Sequence, residues 1–237
     1  MRKEKHIVDS MMVDANLNLK LNTALNMYQD VAVRNVDDLG LGMDRLLNEY
    51  GYMWVVTRMY LEFYKCPKYL EEIYVSTYPS SLRGGFAFMR QAEIADLNDN
   101  PYIKISSTWV LMDHATHRMV VRPKVPDFHE EHPNALKEPD KVNKEEASLV
   151  YSRTIRYCDC DLNNHLNNVR YVDMILDLFD AEFFKKKMIA TLLLNYEKEV
   201  RCGEKIDVFA NVDKTYVEGV VNGNSVFKAK LTFKDKI

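Results

Sequence analysis

Apolar positions along the chain switch between two periods, and the switches mark out its elements. Residues 6–14, "HIVDSMMVD", read as a short strand. After "LKLN" the spacing becomes helical: Leu21, Leu25, Tyr28, Ala32, Val36 and Leu39 recur every three or four residues. Gly40 stands where a C-terminal cap belongs. Four strand-like runs follow, "MWVVTRMYLEFY", "IYVSTY", "FAFMRQAEIAD" and "YIKISSTWVLMD", the last two joined by the hairpin turn "LNDNP". The order then restarts. "LVYSRTIRY" predicts a strand, residues 168–187 a helix, and "TLLLNYEKEV", "IDVFANVD", "YVEGVV" and "SVFKAKLTF" four more strands. Asn222-Gly223 is a strong two-residue hairpin signal, and Ala229, Leu231 and Phe233 alternate with polar residues as in a half-buried strand.

The helix expected over 168–187 is apolar most of the way round. Val169, Val172, Leu176, Phe179 and Phe183 form one stripe, and Tyr171, Met174 and Leu178 another; only Asp173, Asp177 and Asp180 form a polar one. Such a helix is largely enclosed. Strand, helix, then strands, occurring twice, predicts an α+β fold of two units, each an antiparallel sheet wrapped round one long central helix. Between Pro123 and Ser148 stand four of the seven prolines and many charges, which neither ladder nor pack. That stretch is expected to link a first unit, 1–122, to a second, 149–237. A faint repeat supports duplication: shifted by 145 residues, Asp14, Asn18, Leu21 and Asn22 overlay Asp159, Asn163, Leu166 and Asn167. His165 then overlays Lys20, so only the second unit carries the histidine.

Composition narrows the class. Hydrophobic residues make up 47% and charged ones 28%, an ordinary globular balance, and a net charge of -3 gives no reason to expect nucleic acid. No apolar run reaches the roughly 18 residues of a membrane span. The polar start "MRKEKHIVDS" has no signal-peptide core, so a cytoplasmic protein is expected. Of the four cysteines, Cys158 and Cys160 have C-x-C spacing, but no second Cys or His pair completes a zinc site. All four are expected as reduced thiols, with no metal and no disulfide.

Candidate chemistry gathers in "CDCDLNNHLNN", Cys158 to Asn168. Asp, Asn and His side chains are short and polar and favour turns and helix caps. Asp161, Asn163, His165, Asn167 and Asn168 therefore build either an elaborate helix start or a reaction site, and the residues alone leave both open.

"DLNNHLNNVRYVDMIL" resembles the D-x-N-x-H-x-N-N-x-x-Y signature of the acyl-acyl carrier protein thioesterases, the double-hotdog enzymes of plants and bacteria. "MYQDVA", "LGLGMDRL", "MWVVTRMYLEFYKCP", "STWVLMDHATHRMVVRP" and "NYEKEV" stand in the same order as in that family, so the likeness covers nearly the whole chain. The resemblance implies a tandem double hotdog and hydrolysis of the thioester joining a fatty acyl chain to carrier-protein phosphopantetheine. It implies a catalytic set matching Asp161, Asn163 and His165, with Glu199 as the downstream glutamate. It also places the acyl chain in the first unit, around Met53–Met59 and Phe86–Met89. Plant members carry a cysteine directly after that glutamate; here the position is Val200, which counts against a covalent cysteine mechanism.

Hydrolysis needs a base for water, a place for charge on the carbonyl oxygen, and orientation of both. Glu199 is the candidate base, with His165 cooperating through the water. Asp161 would hold the imidazole tautomer, and Asn163 the water or carbonyl. Asn167 and Asn168 would offer backbone N–H groups at a helix start, or Asn167 would simply cap it. The thiolate leaving group, with a pKa of roughly 8–9, departs without much protonation, so no cofactor is expected. Strand parity puts Glu199 opposite Leu192, Leu194, Tyr196 and Val200; it reaches the site only through a bulge or similar irregularity. Cys202 is expected to be a small buried thiol without chemistry. Lys185–Lys187, or Arg118, Arg122 and Lys124, form basic edges that either dock an acidic carrier protein or are simply solvated. Rival readings are an acyl-CoA thioesterase, a hotdog 3-hydroxyacyl dehydratase or hydratase, and a non-catalytic acyl-binding protein. A homodimer paired along a sheet edge also remains open.

Overall fold

The structure, a computed structural model, describes residues 1–126, 130 and 135–236. The chain divides into two compact units, Met1–Pro139 and Asp140–Ile237. The boundary falls inside the proline-rich stretch 123–148, of which residues 127–129 and 131–134 lie outside the described residues. Residues 135–147 carry no helix or strand, yet side chains pin them. Gln91 accepts from the Leu136 N–H at 3.0 Å, and Asn195 accepts from the Val142 N–H at 2.7 Å.

The first unit contains β1 (Arg2–Ile7), α1 (Leu21–Asp38), α2 (Met43–Arg45) running into a π turn, β2 (Tyr52–Phe63), β3 (Glu72–Arg83), β4 (Ala87–Ala95) and β5 (Pro101–Asp113). Its antiparallel sheet has the order β1-β3-β4-β5-β2. The first strand lies earlier than its apolar run predicts, because the Asp9 carboxylate accepts from the Met11 N–H at 2.8 Å and turns the chain out of β1. Helix α1 matches its predicted spacing, and Gly40, at φ 71°, closes it with its N–H on the Asp37 carbonyl at 2.9 Å. The helix meets the sheet through leucine, alanine and methionine, but also through polar ties. Tyr28 and Ser107 hydroxyls pair at 2.7 Å, and buried Arg90 donates to Asn35 at 2.8 Å and to Thr77 at 3.1 Å.

The second unit repeats the plan with β6 (Ser148–Thr154), α3 (Arg170–Leu176), α4 (Ala181–Lys186), β7 (Lys187–Tyr196), β8 (Lys205–Ala210), β9 (Tyr216–Val221) and β10 (Asn224–Asp235). Its sheet order, β6-β8-β9-β10-β7, is that of the first unit strand for strand. The hairpin at Asn222-Gly223 has both residues at positive φ, 49° and 74°, as a type I′ turn demands.

One long helix does not form here, which corrects the expectation for 168–187. Helix α3 ends at Leu176, and three bonds then tighten the chain: Asp177 N–H to Asp173 O, Leu178 N–H to Ile175 O, and Phe179 N–H to Leu176 O. Lys214 takes the Leu178 carbonyl at 2.5 Å, and Asp180 starts α4 afresh by accepting from the Phe183 N–H at 2.7 Å. Aspartate competes for backbone donors and is better at a cap than inside a helix. Phe179 instead packs on the rings of Phe183, Phe184 and Phe233. The enclosed stripe is thus supplied by α3, whose Tyr171, Val172, Met174 and Ile175 are all buried.

Gly219 in β9 shows how tight this unit is. A Cβ there would lie 2.2 Å from the ring of Phe227, which is fully buried, and 2.9 Å from Ile206. Gly219→Ala is therefore expected to cost about 1–3 kcal/mol, read as a lowered Tm; a Tm unchanged from wild type would contradict this packing.

Candidate active site

The polar cluster folds as a tight loop around the Asp161 carboxylate. Its Oδ1 accepts from the Asn163 N–H at 2.9 Å and the His165 N–H at 3.2 Å, while the Asp161 N–H donates to the His165 carbonyl at 2.8 Å. Asn164 takes φ 60°, the left-handed region that asparagine tolerates. Beyond the loop, Cys160 pairs with Leu166 and His165 with Arg201 in isolated antiparallel bridges, and the Leu166 N–H donates to Val200 O at 2.7 Å. The segment after β7 is thereby stitched to the loop.

That stitching brings Glu199 to the histidine. Strand β7 leaves its ladder after Tyr196, and the N–H groups of Glu197 and Lys198 both donate to the Val226 carbonyl, at 2.9 and 3.2 Å. Two successive donors on one acceptor break the two-residue alternation, so the parity that turned Glu199 away no longer applies. Its Oε2 lies 3.4 Å from His165 Nε2, while Val200 beside it is buried. The imidazole is 19% exposed and the carboxylate 41%, so the pair is open to water on one side.

Other site residues take different parts from those expected. The Asp161 carboxylate grips the backbone of His165, and the ring's carboxylate neighbour is Glu199; Asp161 thus sets where the histidine stands rather than its tautomer. Asn163 is exposed on the loop. Asn167 behaves as a cap: its Oδ1 accepts from the Val169 N–H at 3.0 Å and its carbonyl from the Arg170 N–H at 2.8 Å. Those two donors at the start of α3 are therefore committed rather than free for an oxyanion. The Asn168 carbonyl receives the Tyr196 hydroxyl at 3.2 Å. Cys202, expected to be buried, is exposed, because the chain turns at Gly203 immediately beyond it (φ 89°). Lys185 and Lys187 pair with Glu182 and Asp235, at 2.5 and 2.7 Å, and are partly neutralised.

Two residues carry more of the site than the sequence reading gave them. Buried Asp159 binds the Arg153 guanidinium and the Arg156 N–H, and its carbonyl accepts from the Asn167 N–H at 3.0 Å, so it anchors both ends of the loop. Its signal was the alternation "CDCD", in which both aspartates are turn formers. Tyr171 lies buried under the site, its ring edge-on to Tyr196 and Phe227. Burial first, then the carboxylates of Glu199 and Asp161, raises its phenol well above the ordinary range, so it stays protonated. Among the described residues no group of three or more His, Cys, Asp or Glu is placed to hold a metal.

The first unit contains the same loop. The Asp14 carboxylate accepts from the N–H groups of Asn16 and Asn18, at 2.8 and 2.9 Å, the Asp14 N–H donates to Asn18 O, and Leu17 takes φ 59°. Asn18 pairs with Lys68 as His165 pairs with Arg201. The true offset in the loop is therefore 147 residues, not 145, since 14 + 147 = 161. Asn18 stands where the histidine does, its side-chain Oδ1 accepting from Lys68 Nζ at 2.7 Å, and Cys66 stands where Glu199 does.

Two antiparallel units of identical strand order, one of them bearing the His–Glu pair, define a double-hotdog protein. The acyl-ACP thioesterase N-terminal domain matches residues 1–128 and the corresponding C-terminal domain residues 142–234; the chain belongs to the acyl-ACP thioesterase family. A chloroplastic oleoyl-acyl carrier protein thioesterase of Coriandrum sativum is 28% identical over 228 residues, covering 86% of this chain and 61% of that protein. The chain thus spans less than two thirds of the length of this plant relative. The crystal structure of an acyl-ACP thioesterase from Bacteroides thetaiotaomicron superposes with a TM-score of 0.89 at 25% identity, covering 98% of this chain and 97% of that one. A 12:0-ACP thioesterase from Umbellularia californica shares the fold, with a TM-score of 0.81 at 18% identity over 99% and 97% of the two chains.

Proposed function

We propose that this protein hydrolyses the thioester of fatty acyl-acyl carrier protein, releasing free fatty acid and holo-carrier protein, by activating water without a covalent intermediate. The observation that carries this is the 3.4 Å approach of Glu199 to His165, in a loop where Val200 leaves no nucleophile beside the glutamate. Glu199 takes a proton from water, and the oxygen adds to the acyl carbon. The tetrahedral intermediate then expels the phosphopantetheine thiolate as the C–S bond breaks. His165 orients that water and shares its proton. Asp161 holds the histidine backbone in register, Asn163 offers its amide at the exposed mouth of the loop, and Asn167 caps α3 beside the histidine.

The second unit is the catalytic one, and the first unit, around Met53–Met59 and Phe86–Met89, holds the acyl chain; the stretch 123–148 joins them. No described helix is long and apolar enough to cross a membrane, and we place the protein in the cytoplasm, whose reducing poise suits its four free cysteines. The test is a panel of acyl-carrier proteins and acyl-CoAs of several chain lengths, with thiol and free acid both measured. Equimolar thiol and acid from the carrier substrates, at a kcat/KM above that for matching CoA esters, is expected. Preference for CoA would make the protein an acyl-CoA thioesterase, and loss of water from a 3-hydroxyacyl substrate without thiol release would make it a dehydratase.

A further inference from the structure

Two thiols flank the candidate site on the very segments that form it. Cys160 directly precedes Asp161, and Cys202 directly follows Arg201, the residue bridged to His165. The two thiols are neighbours, Cys202 being, after burial, among the groups that raise the Cys160 thiol. They also hang on successive carbonyls: Cys160 Sγ on Arg156 O at 3.5 Å and Cys202 Sγ on Ile155 O at 4.0 Å. Gly203 fixes this arrangement through its N–H on the same Ile155 carbonyl at 2.9 Å. Cys202 is exposed and Cys160 half-buried, so a reagent in solution meets Cys202 first.

We propose that Cys160 and Cys202 form a modification site, a dithiol that low-molecular-weight disulfides oxidise to an intramolecular disulfide, and that this closure slows the neighbouring site. The Cys202 thiolate attacks a disulfide such as oxidised glutathione, making a mixed disulfide and releasing one glutathione thiol. The Cys160 thiolate then attacks the Cys202 sulfur and expels the second glutathione. Two protein thiols are oxidised and one disulfide is reduced to two thiols, with no net proton change. Exposure sets this order: exposed Cys202 meets the reagent first, and half-buried Cys160 is left the second, intramolecular step. An S–S bond is roughly 2.05 Å long, well inside the contact distance of two thiols. Forming it draws in the residues next to Asp161 and Arg201, and a displacement of about 1 Å at a positioned group can cost on the order of 100-fold in rate.

The consequence for rate rests on the hydrolase reading; the cross-link does not, and the two are read separately. The full chain carrying Cys158→Ser is treated with oxidised glutathione, digested with trypsin and mapped by mass. The expected product joins the peptide "CGEK", which begins at Cys202, to the peptide carrying Cys160, with two thiols lost by titration. Hydrolysis by the intact chain is expected to fall at least about tenfold and to return with dithiothreitol. Cys160→Ser and Cys202→Ser are each expected to keep the reduced rate and to resist the oxidant. A stable mixed disulfide with no cross-link, or in the intact chain a cross-link through Cys158 instead, overturns the proposed pair. A correct cross-link with an unchanged rate overturns its control of the site. If the reduced protein hydrolyses no acyl thioester, the hydrolase reading fails while the peptide map still decides the pair.

Discussion

His165→Ala is expected to lower kcat for acyl-carrier hydrolysis by about 10²–10⁴-fold, the range removed with a general acid–base group, equivalent to roughly 3–5 kcal/mol of barrier. The fold should tolerate it. What holds this position is backbone: the His165 N–H on the Asp161 carboxylate, its carbonyl on the Asp161 N–H, and its bridge to Arg201. Alanine keeps all three. The imidazole itself is partly exposed and approaches one charged group, Glu199, at 3.4 Å. KM is expected to change little if, as proposed, the first unit holds the acyl chain. Initial rates across substrate concentration, beside a melting curve, separate the outcomes. A variant within about threefold of wild type, folded and melting normally, would remove the histidine from the chemistry and with it the water-activation scheme.

Much of the scaffold behind this site was legible in the sequence. Period-two runs located nine of the ten strands among the described residues, because alternation records which face meets the core, and Asn222-Gly223 marked its hairpin through the positive φ that the turn requires. The apolar stripes through residues 168–187 describe burial correctly but not continuity: Phe179 is apolar because it packs on other phenylalanines across a break, and Asp180 begins a new helix. The repeat was misplaced by two residues because identity was counted where hydrogen bonding decides; only the loop around Asp14 shows which residues correspond. Polar ties such as Arg90 to Asn35 are invisible in the sequence, which does not show which polar side chains will be buried together. At the site, Asp161, Asn163 and His165 stood out as residue types, yet their roles did not. Whether a carboxylate grips a ring or a backbone N–H depends on loop geometry that spacing alone leaves open.

Glu199→Gln is expected to reduce kcat by a similar 10²–10⁴-fold, and it isolates charge and basicity from shape. Glutamine matches glutamate in size and still reaches the imidazole, but it cannot take a proton from water. The backbone that delivers the residue, with Glu197 and Lys198 both donating to Val226 O and Val200 O accepting from Leu166, is untouched. Glu199→Asp retracts the carboxylate by one methylene and is expected to recover part of the loss, which a purely structural glutamate would not show. The double variant, His165→Ala with Glu199→Gln, is expected to be no slower than the worse single one, because groups that work through one water fail as a unit. If the two losses multiply instead, the residues act in separate steps and the shared water is wrong. If Glu199→Gln retains wild-type kcat while His165→Ala is inactive, the proton acceptor is the histidine alone, and Glu199 merely positions its ring.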